Sequence, residues 1–336
     1  MSELNKIALK IISNGKGILA ADESNGTMTK RLEAVNVKST PENRLSFREI
    51  LFSSDGMKDY IGGVILYDET INQISSTGKS IPDLISSSGA VPGIKVDTGA
   101  KDLANSPKEK ITEGLDGLRD RLKKYYDLGA RFTKWRGVYS IGEKYPSELA
   151  ISSNAHALAR YSALVQENGM VPIVEPEVLM DGNHSAEDCL NKTSEVIKKC
   201  FEELILHKVD LSGIILKPNM ILSGSLSENK ISSEEVSIKT LECLKNCVPN
   251  EVPGIAFLSG GQSEIEATEN LNLINKNNNT NFIMTYSYGR ALQQSALKVW
   301  SNDIKNVEAT QTTFNHRAKM CTLAAQGKWS SELENK

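Results

Sequence analysis

Nine side chains that could do chemistry stand at or near the ends of short apolar runs: Asp22, Lys95, Lys134, Arg136, Glu175, Glu177, Lys217, Ser259 and Arg290. Lys217 says the most. GIIL precedes it and Pro218-Asn219 follows, so its amine is expected to end an apolar strand, partly stripped of water. Desolvation and neighbouring cations such as Lys134 disfavour the ammonium form, which is how a lysine becomes a nucleophile near neutral pH. Such an amine condenses with a carbonyl, and the resulting iminium draws off electrons for carbon–carbon bond cleavage. Lys95 and Lys134 compete with Lys217 for this role on position alone. Lys134 and Arg136 are two residues apart, as are Glu175 and Glu177, so each pair projects to one side of its strand. Cations and carboxylates meeting in one mouth shift one another's protonation, or form a structural ion-pair network.

Two stretches, LSGGQS at 258–263 and YSYGR at 286–290, have the composition of an anion site. Gly260 and Gly261 permit close backbone approach, Ser259 and Ser287 add hydroxyls, and Arg290 supplies a fork of donors. A second cationic group is available from Lys30, Arg31, Arg44, Lys95 and Arg136, although Lys30 and Arg31 also read as a solvated helix face. Two phosphate-binding regions across a mouth that holds an amine and carboxylates point to a bisphosphorylated carbonyl substrate.

Positioning these groups needs a scaffold that gathers strand ends. Eight apolar runs, at 16–22, 62–68, 91–97, 131–137, 171–177, 211–219, 252–260 and 282–289, alternate with charged helical stretches. That is the outline of an α/β chain of the (β/α)8 TIM barrel type, whose reacting groups lie at the carboxyl ends of the strands and whose phosphate site follows strands seven and eight. An open doubly wound sheet would also alternate β and α; charged residues at nearly every strand end favour closure. Helices are expected at 41–57, 114–130, 154–170, 187–208, 233–247, 263–276, 290–300 and 307–326, and loop-rich insertions at 71–90 and 98–110. With no linker-like composition shift, residues 1–336 read as a single barrel domain with an N-terminal helix and a short C-terminal helical tail.

The balance of 39 basic and 42 acidic side chains, net −3, excludes a general nucleic-acid or membrane-surface protein. The N-terminus lacks a signal-peptide pattern, and the apolar runs fall short of the roughly 18 residues of a membrane span, so a cytoplasmic protein is expected. Five cysteines without a CxxC pair read as reduced and structural. Four histidines are scattered with none at a strand end; neither a metal site nor a cofactor is expected.

The motifs GKGILAADES, GGVILYDET, GIKVDTGA, FTKWRGV, VPIVEPEVLMDG, ILKPNM, FLSGGQSEIEAT and SYGRALQQSALKVW occur in this order between about Gly15 and Gly327. In them the chain resembles class I, Schiff-base-forming fructose-bisphosphate aldolase. The resemblance implies reversible cleavage of fructose 1,6-bisphosphate to dihydroxyacetone phosphate and glyceraldehyde 3-phosphate, in glycolysis and gluconeogenesis, by a homotetramer. It makes Lys217 the Schiff-base residue, Glu175 the principal proton acceptor and donor, Glu177 its helper, Lys134 an aid to carbinolamine chemistry and Asp22 the group that orients Lys217. Ser259, Gly260, Gly261, Ser287, Gly289 and Arg290 match the phosphate-1 site, and Ser24, Thr27, Lys95, Arg31 and Arg136 the phosphate-6 end. Animal-type members end in a tyrosine that assists enamine protonation, whereas here the last tyrosine is Tyr288 and the end resembles shorter bacterial tails. Alternatives are a related aldolase preferring fructose 1-phosphate or sedoheptulose 1,7-bisphosphate, and a non-catalytic scaffold or actin-binding role.

Overall fold

Runs rich in Val, Ile and Gly and flanked by helices are buried on both faces, the pattern of parallel strands under a helical layer. In the computed structural model, which describes residues 1–335, they form β1 (Gly17–Ala21), β2 (Ile61–Leu66), β3 (Val91–Lys95), β6 (Phe132–Tyr139), β7 (Val171–Val178), β8 (Ile215–Leu216), β9 (Gly254–Phe257) and β10 (Ile283–Tyr288). Between β3 and β6 lie β4 (Gly99–Leu103) and β5 (Ser106–Glu113). The eight long-range strands close in the order β1-β10-β9-β8-β7-β6-β3-β2, with every pairing parallel. This is the expected (β/α)8 barrel. Lys336, where the expected domain and tail end, lies outside the described residues.

The barrel floor is a packed plug. Ile18, Ala20, Ile65, Val91, Phe132, Val171, Ile173, Ile215 and Ala256 fill it from the strands, and Ala8, Ile11 and Ile12 of the helix Glu3–Ile12 seal it from below. That helix presses so close to β2 that a Cβ on Gly62 would lie 1.8 Å from the Ile11 carbonyl oxygen, which only glycine tolerates. With the bottom filled, only the opposite end of the strands is open to a ligand.

Helix starts follow local capping. Ser185, Ser232 and Ser263 each accept from the N–H three residues on, while Asp188, Glu235 and Glu266 accept in return. The helices Glu148–Glu167 and Ala186–Leu206 pack side by side and bring His156 and His207, far apart in sequence, to within 4.9 Å between ring centroids. All five cysteines are buried and unbridged.

Three expectations need correction. Residues 98–110 are not loop: β4 and β5 form an antiparallel hairpin turning at Asn105, whose φ is 62°. Its strands carry charges at consecutive positions, Lys101-Asp102 and Lys108-Glu109-Lys110, which hides the β pattern, and Thr112 ties it to the barrel by donating to the Arg136 carbonyl. Within 71–90, Ser80 caps a helix over Ile81–Ser87. The run at 211–219 contributes only two residues to β8, after a 3-10 turn at Leu211–Gly213, yet the Lys217 N–H still donates to Val174 O at 2.8 Å and so carries the ladder to the site.

Candidate active site

Alternation along β6 and β7 divides their side chains cleanly. Thr133 and Trp135 point outward to Tyr161 of the helix Glu148–Glu167, through a 2.7 Å hydrogen bond and a 5.5 Å ring contact. Lys134 and Arg136 therefore point into the mouth, as do Glu175 and Glu177 of the neighbouring strand. Asp22, one residue past β1, and Lys217, one residue past β8, enter from either side.

The four meet in a line of alternating charge. Asp22 Oδ2 lies 2.8 Å from Lys134 Nζ, Lys134 Nζ lies 3.3 Å from Glu175 Oε2, and Glu175 Oε1 lies 3.0 Å from Lys217 Nζ. All are largely buried, Lys217 to 5% side-chain exposure. Glu175 thus stands between the two lysines, where sequence reasoning set Lys134 directly against Lys217. Burial opposes ionisation of Asp22, but Lys134, Lys217 and Lys95 outweigh it and hold its carboxyl at about 2. Burial likewise opposes charge on Lys134, and Asp22 and Glu175 overcome it, raising its pKa well above the usual lysine range. Glu175 is lowered despite its burial, by Lys134 and then Lys217. The arrangement is a chain of acids and bases within proton-transfer distance of one amine.

A cleft of about 630 Å³ surrounds this line. On one side are Ser259, Gly260, Gly261, Ser287, Gly289 and Arg290. Gly260 and Gly261 have φ of 54° and 82°, which opens their backbone to a ligand. Buried Ser287 Oγ has no hydrogen-bond partner within the protein. Among the described residues, Arg290 is the one cleft cation without a carboxylate within 4.0 Å, whereas Arg31, Lys95, Lys134, Arg136 and Lys217 are all paired. An unpaired guanidinium, a free hydroxyl and an exposed glycine backbone are the donors with which a protein can hold an anion.

Lys95 and Arg136 line the cleft from β3 and β6, on the far side of the barrel from β9 and β10, and Ser24 and Thr27 line it from the segment after β1. Ser24 caps the helix Asn25–Glu33, Lys95 pairs with Asp97 at 2.8 Å, and Arg136 pairs with Glu177. Arg31, one turn after Thr27 on the same helix, also lines the cleft. It pairs with Glu23 and its Nη2 would lie 3.8 Å from a Cβ on Gly289, beside Arg290. Lys30 and Arg44 do not line the cleft. Lys30 is exposed on its helix, and Arg44 is spent on Glu69, with Nη2–Oε1 2.5 Å and Nε–Oε2 2.8 Å.

Sequence reasoning missed the residues that brace the site. Glu23 is buried and accepts from Arg31, from Gln293 Nε2 at 3.1 Å and from Arg48 Nη2 at 3.4 Å. Its position beside Asp22 in AADES was the available signal. Gln262 Nε2 donates to Ser259 O at 2.8 Å, and Asn270 Nδ2 donates to Gln262 Oε1 at 2.7 Å, so two buried amides hold the glycine loop from behind. Nothing in the amide side chains themselves announces that role.

The family model for class I fructose-bisphosphate aldolase matches residues 3–336. A protein of Xanthomonas campestris described as a probable fructose-bisphosphate aldolase class 1 is 48% identical over 330 residues, covering 98% of this chain and 99% of its own. Cytosolic fructose-bisphosphate aldolase 4 of Arabidopsis thaliana is 49% identical over 333 residues, covering 99% of this chain and 85% of its own. Among solved structures, Plasmodium falciparum fructose-bisphosphate aldolase, in a complex with TRAP and a small-molecule inhibitor, superposes with a TM-score of 0.96 at 43% identity, covering 98% of this chain and 95% of that one. Full-length similarity at this level, joined to a buried lysine–carboxylate line at the mouth of a closed barrel, places the chain in the class I fructose-bisphosphate aldolase family of carbon–carbon lyases.

Proposed function

We propose that this enzyme cleaves fructose 1,6-bisphosphate reversibly through an imine on Lys217. The observation that carries the reading is Glu175, whose two oxygens lie 3.0 Å from Lys217 and 3.3 Å from Lys134. Glu175 takes the proton that the Lys217 ammonium gives up, and the free amine adds to the C2 carbonyl of the open-chain sugar. Glu175 returns that proton to the carbinolamine hydroxyl, beside Lys134, which expels water, leaves the iminium and restores the carboxylate. The carboxylate then removes the C4 hydroxyl proton, the C3–C4 bond breaks, and its electrons enter the iminium as glyceraldehyde 3-phosphate departs. Protonation of the enamine at C3 and hydrolysis release dihydroxyacetone phosphate and restore Lys217. Asp22 holds Lys134 in line, and Glu177 sets Arg136.

The 1-phosphate goes to Ser259, Gly260, Gly261, Ser287, Gly289 and Arg290, joined by Arg31; the 6-phosphate goes to Ser24, Thr27, Lys95 and Arg136. The reading includes one barrel domain, a homotetramer, the cytosol, and chemistry that needs neither metal nor cofactor. Among the described residues no helix is long and apolar enough to cross a membrane.

Borohydride reduction with dihydroxyacetone phosphate, followed by intact-protein mass and peptide mapping, tests the assignment. The adduct is expected on Lys217, absent from folded Lys217→Ala, and still on Lys217 in Lys134→Ala and Lys95→Ala. An adduct that persists in Lys217→Ala sinks it.

A further inference from the structure

Outside the cleft, His156, Glu203 and His207 place one potential ligand atom each within 4.8 Å of one another. We propose that they form a site for a borderline divalent cation, zinc(II) foremost, which clips the helix Glu148–Glu167 to the helix Ala186–Leu206. Glu203 and His207 are one helical turn apart and so share a face; His156 comes from the neighbouring helix. His156 Nδ1 lies 3.2 Å from Glu203 Oε2, and His207 Nδ1 lies 3.8 Å from the same oxygen. Ligand atoms held roughly 2.0–2.2 Å from a tetrahedral zinc stand about 3.3–3.6 Å apart, so the His156–Glu203 pair already has the spacing of two ligands, and adjustment of the adjacent His207 side chain brings its Nε2 into the set.

The donor chemistry fits the class of ion. Two imidazoles and one carboxylate suit zinc, copper(II) or nickel(II) rather than calcium or magnesium, which prefer all-oxygen shells. His207 Nδ1 is 2.9 Å from the Glu203 backbone oxygen, which can only accept. That bond puts the proton on Nδ1, leaves the Nε2 lone pair for the metal, and orients the ring as ligating histidines are commonly oriented. His156 gives up to solvent the proton it shares with Oε2 when a cation takes that place. Lys199 Nζ, 3.6 Å from Glu203 Oε1, engages the other oxygen and opposes a second positive charge. The cluster is open to solvent on its His156 side, where that side chain is 52% exposed.

The test uses full-length protein stripped of metal with EDTA and desalted. Zinc is titrated against a chromogenic chelator, and the melting temperature is followed with and without zinc. The expected result is one zinc per chain, weakened roughly tenfold or more in each of His156→Ala, Glu203→Gln and His207→Ala, and tightened in Lys199→Ala. Zinc should raise the melting temperature of the wild type and not of a His156→Ala/His207→Ala double variant. Copper(II) bound to the wild type should show nitrogen hyperfine coupling from two imidazoles. None of these residues lines the cleft, so cleavage activity is expected to be unchanged throughout. Wild-type protein that binds no zinc at submillimolar concentration, or variants that bind it as the wild type does, overturns the proposal.

Discussion

Replacing Asp22 by Asn tests whether the charge line is electrostatically real. The change is nearly isosteric and removes the anion 2.8 Å from Lys134. In the folded protein, Lys134 and its neighbours overcome burial and bring this carboxyl from its ordinary value of 3.8 to about 2, a difference worth about 2 kcal/mol of folding stability. Because the folded value is the depressed one, the contribution is complete above the unfolded value near 3.8 and disappears as pH falls through about 2. Asp22→Asn should therefore lose about 2 kcal/mol at pH 7, roughly half of that at pH 3, and almost nothing near pH 2. Urea unfolding of both proteins across this range, with the difference taken at each pH, measures it. In turnover, an unopposed Lys134 ammonium draws Glu175 away from Lys217, and misplacement of that size costs on the order of 10²-fold in rate. A stability difference that does not change between pH 7 and pH 3 would refute the electrostatic account, because loss of packing or hydrogen bonding has no such pH profile.

Other consequences follow from the same geometry. Arg290→Ala should raise KM for a phosphorylated substrate by roughly 10- to 100-fold, the equivalent of about 1.5–3 kcal/mol for a charge-assisted hydrogen bond, with little change in melting temperature because the guanidinium is solvent-exposed. Unchanged affinity for inorganic phosphate and substrate alike would remove Arg290 from the subsite. Gln262→Leu should loosen the Ser259 loop and raise KM more than it lowers kcat, and restoration of KM by Gln262→Glu with equal activity would argue against an amide donor at this position. Cleavage should survive EDTA treatment in full; activity lost to the chelator and regained with zinc would exclude imine chemistry as the sole route.

The barrel was legible because its eight strands are short apolar runs at βα spacing, and the site because strand ends concentrate charge where a closed sheet leaves only one outlet. Lys134, Glu175 and Lys217 could be placed in one mouth before their distances were known. Less could be read where the partner is set by tertiary packing. Lys30, Arg31 and Arg44 are cations of one short stretch, yet only Arg31 turns inward, since Glu23 captures it there while Glu69 holds Arg44 away. No periodicity distinguishes those outcomes. The β4–β5 hairpin escaped notice for a different reason: its charges fall at consecutive positions, and its buried residues, Leu103, Glu109 and Thr112, follow no two-residue apolar alternation.

The pairing of the cleft cations also makes its two ends unequal. At the Arg290 end an incoming phosphate meets a guanidinium with no carboxylate to displace, a free Ser287 hydroxyl and open glycine backbone. At the other end Lys95 and Arg136 already hold Asp97 and Glu177, so a phosphate there must compete with, or share, an existing ion pair. The same donor types therefore return less net affinity at the second end, because part of each new contact replaces an old one. On the proposed assignment, anchoring falls to the Arg290 end, and discrimination between sugars with one phosphate and those with two falls to Lys95, Arg136 and the hydroxyls of Ser24 and Thr27.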